Sequence, residues 1–397
     1  MNYLLDNLEL KGSDVKDFIR HVNEMASITK EMKIKAENME MYTLCTLDKF
    51  KIPDNLVFYL LSPFYLEKFL NGEKLQLGSI PEKTFGPELT EELKNGSSGI
   101  LLSVSGKKFL LSQIAISTLS YLSGVTGDMT IKRNNIIRDM HIADALYAKS
   151  PSLTFIYREK ECKRKIFAVL GSTYKVIPQN CLVNILDILS RKYKTDMRSW
   201  SIDQDFTSYY LEFPEEKVGN MIPGIEVITS DTGKASFTVR IMQRYGQSEV
   251  IFDELLIKHT KNTTAETVVN EVVSYVLEKL PEIISVQEDA KGLDSEYILD
   301  YDKLDLKDDN DCGKNYQAVN DAINKYGNIF LGGEVPVKKM KEILCNLSDD
   351  IDSSKKYSVG DICSILVRMP EVSSTDPVTT CIIKRCAGKI YPYFLNA

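Results

Sequence analysis

The stretch Ile225-Glu-Val-Ile-Thr-Ser-Asp-Thr-Gly-Lys-Ala-Ser-Phe-Thr-Val-Arg-Ile-Met-Gln-Arg244 decides the fold class. In its second half Phe237, Val239 and Ile241 alternate with Thr238, Arg240 and Met242, the two-residue period of a half-buried strand. Ser230-Asp-Thr-Gly233 has the composition of a turn. Residues 225–229 and 235–244 therefore read as the arms of a hairpin. Residues 207–213 and 248–258 read as the strands on either side. The period then changes. Thr263-Thr-Ala-Glu266 has the form of a capping box. Val268, Val269, Val272, Val273, Val276, Leu277 and Leu280 make one helical stripe, with Pro281 at its expected end. Strand, hairpin, strand and long helix, with the helix across one sheet face, predict an α+β fold with a mixed or antiparallel sheet core and a long packing helix.

Working outward, residues 153–157 and 166–170 read as two strands joined by a basic hairpin. Asn180 caps a helix carrying Leu182, Ile185, Leu186 and Leu189. Residues 1–150 read as a mostly helical N-terminal region. Ser13 caps a helix through Met25, and Ser62-Pro63 starts another. Residues 99–111 form two short strands about Ser105-Gly106, and 112–122 and 134–148 are helices. His141 falls on the packed side of the last of these. The α/β core then spans 151–286, an acidic linker 287–312 and a small helical C-terminal domain 313–397. The domain's helices are placed at 314–325, 335–347, 358–367 and 377–389.

The chain has 397 residues and a net charge of −7, which is the charge of one segment. Residues 287–312 hold ten acids and three lysines, and the rest of the chain sums to zero. Residues 131–198 hold fourteen Lys and Arg against six acids. The densest runs are Arg158-Glu-Lys-Glu-Cys-Lys-Arg-Lys165 and Arg191-Lys-Tyr-Lys194, interleaved with Phe155, Tyr157, Phe167, Tyr174, Tyr193 and Trp200. Cations with stacking rings suit single-stranded nucleic acid. The candidate contacts are Arg158, Lys160, Lys163, Arg164, Lys165, Lys192, Lys194 and Arg240, with Tyr157, Tyr193 and Trp200 as stacking rings. A solvated charged face over core aromatics is the plainer reading of the same pattern.

Other chemistry is sparse. No apolar run reaches the roughly 20 residues of a membrane span, and the first residues lack the basic-then-apolar pattern of a signal peptide. The eight cysteines include no C-x-x-C pair and read as reduced thiols. The three histidines, His21, His141 and His259, fall in different elements. There is no G-x-S-x-G, P-loop or G-x-G-x-x-G motif. No catalytic residue, metal site or cofactor is expected. Asp300-Tyr-Asp302 and Asp305 lack the glycine and glutamate of a calcium loop. Glu161-Cys-Lys163 has the E-x-K spacing of metal-dependent nucleases, which also need an acid on an adjacent strand.

Three stretches carry a family resemblance. They are Phe58-Tyr-Leu-Leu-Ser-Pro-Phe-Tyr-Leu-Glu-Lys-Phe-Leu70; Tyr157-Arg158 with Ile166-Phe-Ala-Val-Leu-Gly-Ser-Thr-Tyr174 and Ile177-Pro-Gln179; and Pro223-Gly-Ile-Glu-Val-Ile-Thr-Ser-Asp-Thr-Gly233. Their order over residues 55–280 resembles the phage and plasmid proteins grouped as domain of unknown function 932. Those carry an R-A-V-L-S-x-x-Y strand followed by a P-G-x-x-x-x-N-S-x-x-G hairpin. Arg244-Tyr-Gly-Gln-Ser248 replaces the cysteine-and-asparagine turn frequent in that family. The resemblance implies a phage or mobile-element origin and supplies no catalytic residues.

The leading expectation is a non-catalytic nucleic-acid-binding protein of a phage or mobile element, binding or annealing single-stranded DNA. It would act in the host cytoplasm and could assemble as a homo-oligomer. The alternative is a structural or host-interaction protein: a virion component or a counter-defence factor with a phage or host protein as partner. A metal-dependent nuclease ranks below both, and no membrane partner is expected.

Overall fold

The computed structural model describes residues 1–44, 55–61, 65–73, 77–95, 99–125, 135–260, 263–296, 312–349, 351–352, 357–373 and 376–396. The chain enters as β1 (Glu9–Gly12), runs through α1 (Val15–Ile28) and continues as β2 (Thr29–Lys35). Asp14 caps α1 in place of Ser13, accepting the Asp17 N–H at 2.9 Å. β3 (Glu40–Leu44), β4 (Asn55–Leu61), α2 (Tyr65–Leu70), β5 (Leu77–Pro81) and α3 (Pro87–Asn95) follow. The helix start expected at Ser62-Pro63 lies outside the described residues. β6 (Ile100–Val104) and β7 (Lys107–Leu111) are the pair expected about Ser105-Gly106, both of which have positive φ. α4 (Gln113–Ser123) is capped by Ser112, and α5 (Asn135–Lys149) follows. The buried side of α5 runs through Ile136, Met140, Ala143 and Leu146; His141 lies off that stripe and is exposed, contrary to its expected packed position.

The second half contains β8 (Ser152–Lys160), β9 (Lys163–Gly171), α6 (Asn180–Lys192), β10 (Asp196–Asp203), β11 (Thr207–Glu212), β12 (Met221–Thr229), β13 (Phe237–Tyr245) and β14 (Ser248–Ile257). Gln179, not Asn180, precedes α6 as its cap residue, and it makes no side-chain capping bond. The long helix is α7 (Ala265–Glu296). Its capping box sits one residue later than expected: Thr264 Oγ1 accepts the Thr267 N–H at 3.1 Å, and Thr267 Oγ1 accepts the Thr264 N–H at 2.9 Å. Pro281 does not end the helix. Its ring is on the solvent side, where water can satisfy the carbonyl freed by the missing N–H. Ile283, Gln287 and Ala290 carry the buried stripe onward, so the first ten residues of the expected acidic linker are helical. Residues 297–311 lie outside the described residues. The C-terminal helices are α8 (Cys312–Leu331), α9 (Val337–Ser348), α10 (Val359–Leu366), α11 (Met369–Val372), α12 (Pro377–Gly388) and α13 (Ile390–Leu395).

The strands make two sheets. One is antiparallel with order β1-β10-β11-β12-β13-β14. The other has order β2-β8-β9-β7-β6-β3-β4-β5 and is antiparallel except for the parallel β7–β9 pair. The α+β class is as expected. The division at residue 150 is not how the sheets divide, because the β8–β9 hairpin belongs to the sheet built otherwise from residues 29–111, while β1 joins the sheet of residues 196–257. Phe237, Val239 and Ile241 point into a core shared with α1, α6 and α7. α4 and α5 cover one face of the eight-stranded sheet, and a second apolar cluster containing Leu4, Leu89, Leu93 and Phe167 lies on its other face. The C-terminal helices share a core with the end of α7, Met221 and Val250. Among the described residues no helix is long and apolar enough to cross a membrane.

Candidate functional site

The basic residues expected to form a ligand surface are spread over several places, and most of them face their own chain. Arg158 is 1% exposed and its guanidinium lies 4.1 Å from the centre of the Phe167 ring. Lys165 is 2% exposed, 2.7 Å from Asp6 and also paired with Glu92. Lys160 donates to the Met1 carbonyl at 3.1 Å, and Arg158 donates to the Tyr3 carbonyl at 3.2 Å. Three cations of the hairpin thus hold residues 1–6. Arg164 pairs with Glu159 at 2.6 Å, and Lys163 lies 3.8 Å from Glu161. Burial and pairing of this kind leave little charge for phosphates, so Arg158 and Lys165 are corrected from candidate contacts to interior groups.

The remaining candidates lie elsewhere. Arg240 is on the outer face of the six-stranded sheet, held between Glu226 at 2.6 Å and Glu254 at 2.7 Å. Trp200 is not a stacking platform. It is 5% exposed, packs on Phe18 and His21, and donates its indole N–H to the Asp14 carbonyl at 3.0 Å. A side chain at Gly12 would strike its ring. Tyr157 meets Phe109 edge-on, and Tyr193 meets Phe213 edge-on. Lys192 ends α6 and Lys194 follows it; both are exposed, and Lys194 pairs with Glu215 at 3.0 Å. Glu161 and Cys162 form the exposed tip of the β8–β9 hairpin, both with positive φ. No group of three or more His, Cys, Asp or Glu side chains could hold a metal ion among the described residues.

What the fold does bring together is a polar cluster at the junction of the two sheets. Arg158 arrives on β8 of one sheet. Asp231 arrives on the β12–β13 turn of the other. Their charged groups are 3.6 Å apart and both side chains are buried. Gln179, at the start of α6, donates its amide Nε2 to Asp231 Oδ2 at 3.1 Å. Ser230 and Thr232 hydroxyls are 3.0 Å apart, and Thr232 donates to Asp205 at 3.1 Å. Tyr174 stacks on His259 with ring centres 4.9 Å apart, and His259 Nδ1 lies 3.1 Å from the Lys175 carbonyl. Gly233 closes the turn in the left-handed region, φ +79°, where a side chain would also meet Leu170.

Burial sets the electrostatics. It pushes the Asp231 carboxyl up, against the opposing pull of Arg158. It raises Asp205 likewise, and lowers His259. The cluster borders a cavity of about 450 Å³ between α1, the start of β2, the 175–179 segment and the start of α7. Asp231 and Gln179 both line it, at 2% and 6% exposure. Asp231 Oδ1 and Gln179 Oε1 are buried without a hydrogen-bond partner. Arg158 Nε and Nη2, in the same cluster, are also buried without a hydrogen-bond partner, so donors and acceptors are both left unmatched around the 3.6 Å Arg158–Asp231 contact.

Sequence reasoning missed this site. In the sequence Arg158 reads as a surface cation and Asp231 as a turn residue, while Gln179 stands only within the stretch Ile177-Pro-Gln179 that carries the family resemblance. Their meeting depends on how the sheets pack, which spacing does not encode. No family model, curated protein or solved structure matches the chain.

Proposed function

We propose that the protein is a binding protein whose ligand site is the cavity beside Asp231 and Gln179. The observation that carries this reading is a cavity large enough for a small molecule, bordered at one end by Asp231 and Gln179 of the buried polar cluster. Ile156, Val176, Ile177 and Pro178 supply apolar wall, and exposed Lys175 stands at the rim. The arrangement is one of recognition: polar groups that fix orientation within an apolar enclosure.

The test is thermal unfolding in the presence of a panel of small polar compounds, repeated with Ala26→Phe, which places a ring in the cavity. A ligand at 100 times its Kd stabilises the native state by about 2.7 kcal/mol. Stabilisation of the wild type that vanishes in a folded Ala26→Phe protein supports the reading. Equal response of both proteins to every compound refutes it.

Single-stranded nucleic acid binding is the second reading, supported by exposed Lys192 and Lys194 on either side of half-buried Tyr193. It predicts salt-dependent binding of an oligonucleotide that is lost in Lys192→Glu/Lys194→Glu. Binding that is unchanged in that variant counts against it.

A further inference from the structure

We infer that residues 172–176 form a flap on one side of the cavity, latched by Tyr174 against neutral His259 and released in acid when His259 takes up a proton. This names a control on the site proposed above and rests on that reading. The segment joins Gly171, at the end of β9, to Ile177, which is buried in the core. It belongs to no helix or strand. The Tyr174 N–H donates to the Gly171 carbonyl at 3.1 Å, and among the described residues no other N–H of 172–176 makes a backbone–backbone hydrogen bond. Lys175 and Val176 line the cavity. Side-chain contacts are what hold them in place. The Tyr174 ring stacks on His259, 4.9 Å between centres and 12° from parallel. Its hydroxyl donates to the Ser230 carbonyl at 3.4 Å. A Cβ at Gly233 would lie 3.6 Å from the same ring, so the tyrosine is seated on the β12–β13 turn. His259 Nδ1 lies 3.1 Å from the Lys175 carbonyl, which only accepts, so Nδ1 carries the proton.

The latch suits the neutral ring. His259 Nε2 is buried and has no hydrogen-bond partner. A proton added there makes a cation with a buried donor. The Ala235 carbonyl favours the charged ring without reaching hydrogen-bond geometry. Asp231 is the charged group that acts on the ring, and Arg158 already faces it at 3.6 Å. Burial pushes the Tyr174 phenol up, so it stays neutral. Lys175, Lys234 and Lys258, the cations on the segments packed here, are exposed to water and salt. Loss of water outweighs the attractions, and the imidazole holds its proton less well in the closed protein than in water. By linkage, acid then favours the state in which the ring is wet. Lifting Tyr174 wets it at the cost of few hydrogen bonds. The same movement withdraws Lys175 and Val176 from the cavity wall, which gives the site a pH-dependent entrance.

The experiment is NMR of the full chain, labelled with carbon-13 at the alanine and valine methyls and the histidine rings. The protein is titrated from pH 8 to pH 5 with a neutral gadolinium chelate in solution, which relaxes methyls that water reaches. In the wild type, relaxation of the Val176 and Ala265 methyls should rise in acid with the same midpoint as the His259 ring. In a folded His259→Phe protein, which keeps a ring for Tyr174 but takes up no proton, it should stay flat. In a folded Tyr174→Leu protein it should be high already at pH 8. Flat relaxation in the wild type overturns the inference. So does a wild-type rise that does not follow the His259 titration, and so does an equal rise in His259→Phe. The measurement needs no bound compound. If the methyls do not respond while compounds still stabilise the wild type and not Ala26→Phe, the flap falls and the binding site stands.

Discussion

Arg158 and Asp231 face each other 3.6 Å apart at the junction of the two sheets, one on a strand of the eight-stranded sheet and one on a turn of the six-stranded sheet. Their pairing joins segments 73 residues apart in sequence and fixes the polar end of the cavity. Each is a charge that has left water, so each depends on the other.

Removing one partner should therefore cost more than removing both. Asp231→Ala or Arg158→Ala should destabilise the protein by about 3–5 kcal/mol, because the remaining charge is buried alone. Arg158→Met/Asp231→Leu should recover a large part of that loss. Urea unfolding midpoints measure all three. A loss below about 1 kcal/mol for Asp231→Ala would contradict a dry, mutually dependent pair.

His259 predicts a pH effect. Burial lowers its pKa below the unfolded value, while the Lys175 carbonyl and Asp231 oppose the shift. The unfolded chain then binds the proton first as pH falls. Stability should decline from about pH 7.5 through the ordinary histidine range and level off below the lowered folded pKa. The raised carboxyl of Asp231 acts in the opposite direction, so the measurement is a difference. The stability of wild type minus His259→Gln should fall on going from pH 8 to pH 5. A flat difference would show that His259 is not held neutral by burial.

The start of α7 offers a sharper contrast. Thr264 and Thr267 form the capping box, and Glu266 takes no part in the bonds described there. Thr264→Ala should cost about 1 kcal/mol, whereas Glu266→Ala should stay within about 0.5 kcal/mol. Thermal unfolding of the two variants decides the register of the box, and the reverse ranking would restore the one read from sequence.

Gly388 governs how the C-terminal helices meet the sheet. A Cβ there would sit 2.0 Å from the Ile251 carbonyl oxygen, so α12 approaches β14 with no room for a methyl group. Lys384–Glu249 at 2.9 Å and the Arg385–Glu254 pair bind the same two elements. Gly388→Ala should force them apart at a cost of about 1–3 kcal/mol. Hydrogen exchange should rise in residues 377–395 before it rises in β11 and β12. Unchanged exchange would contradict the close contact.

Local chemistry made much of this fold legible. The β12–β13 hairpin, the valine stripe of α7, Ser358 capping α10 and Asp376 capping α12 all follow from period and cap composition. β10 escaped because a bulge puts Arg198 and Ser199 consecutively outward and breaks the alternation of Met197, Trp200 and Ile202. Pro281 misled because its ring falls on the solvent side of a helix whose buried face continues. The site was less legible than the fold. Arg158 and Lys165 looked like surface charge because sequence shows how many cations a hairpin has, not which carboxylates and carbonyls fold against them.

The most direct test of the cavity as the binding site is a crystal structure of the full chain soaked, at millimolar concentration, with the compound that most stabilises the wild type in thermal unfolding. Density for the compound is expected between α1 and the 175–179 segment. An empty cavity, with the compound bound elsewhere or not at all, would contradict it.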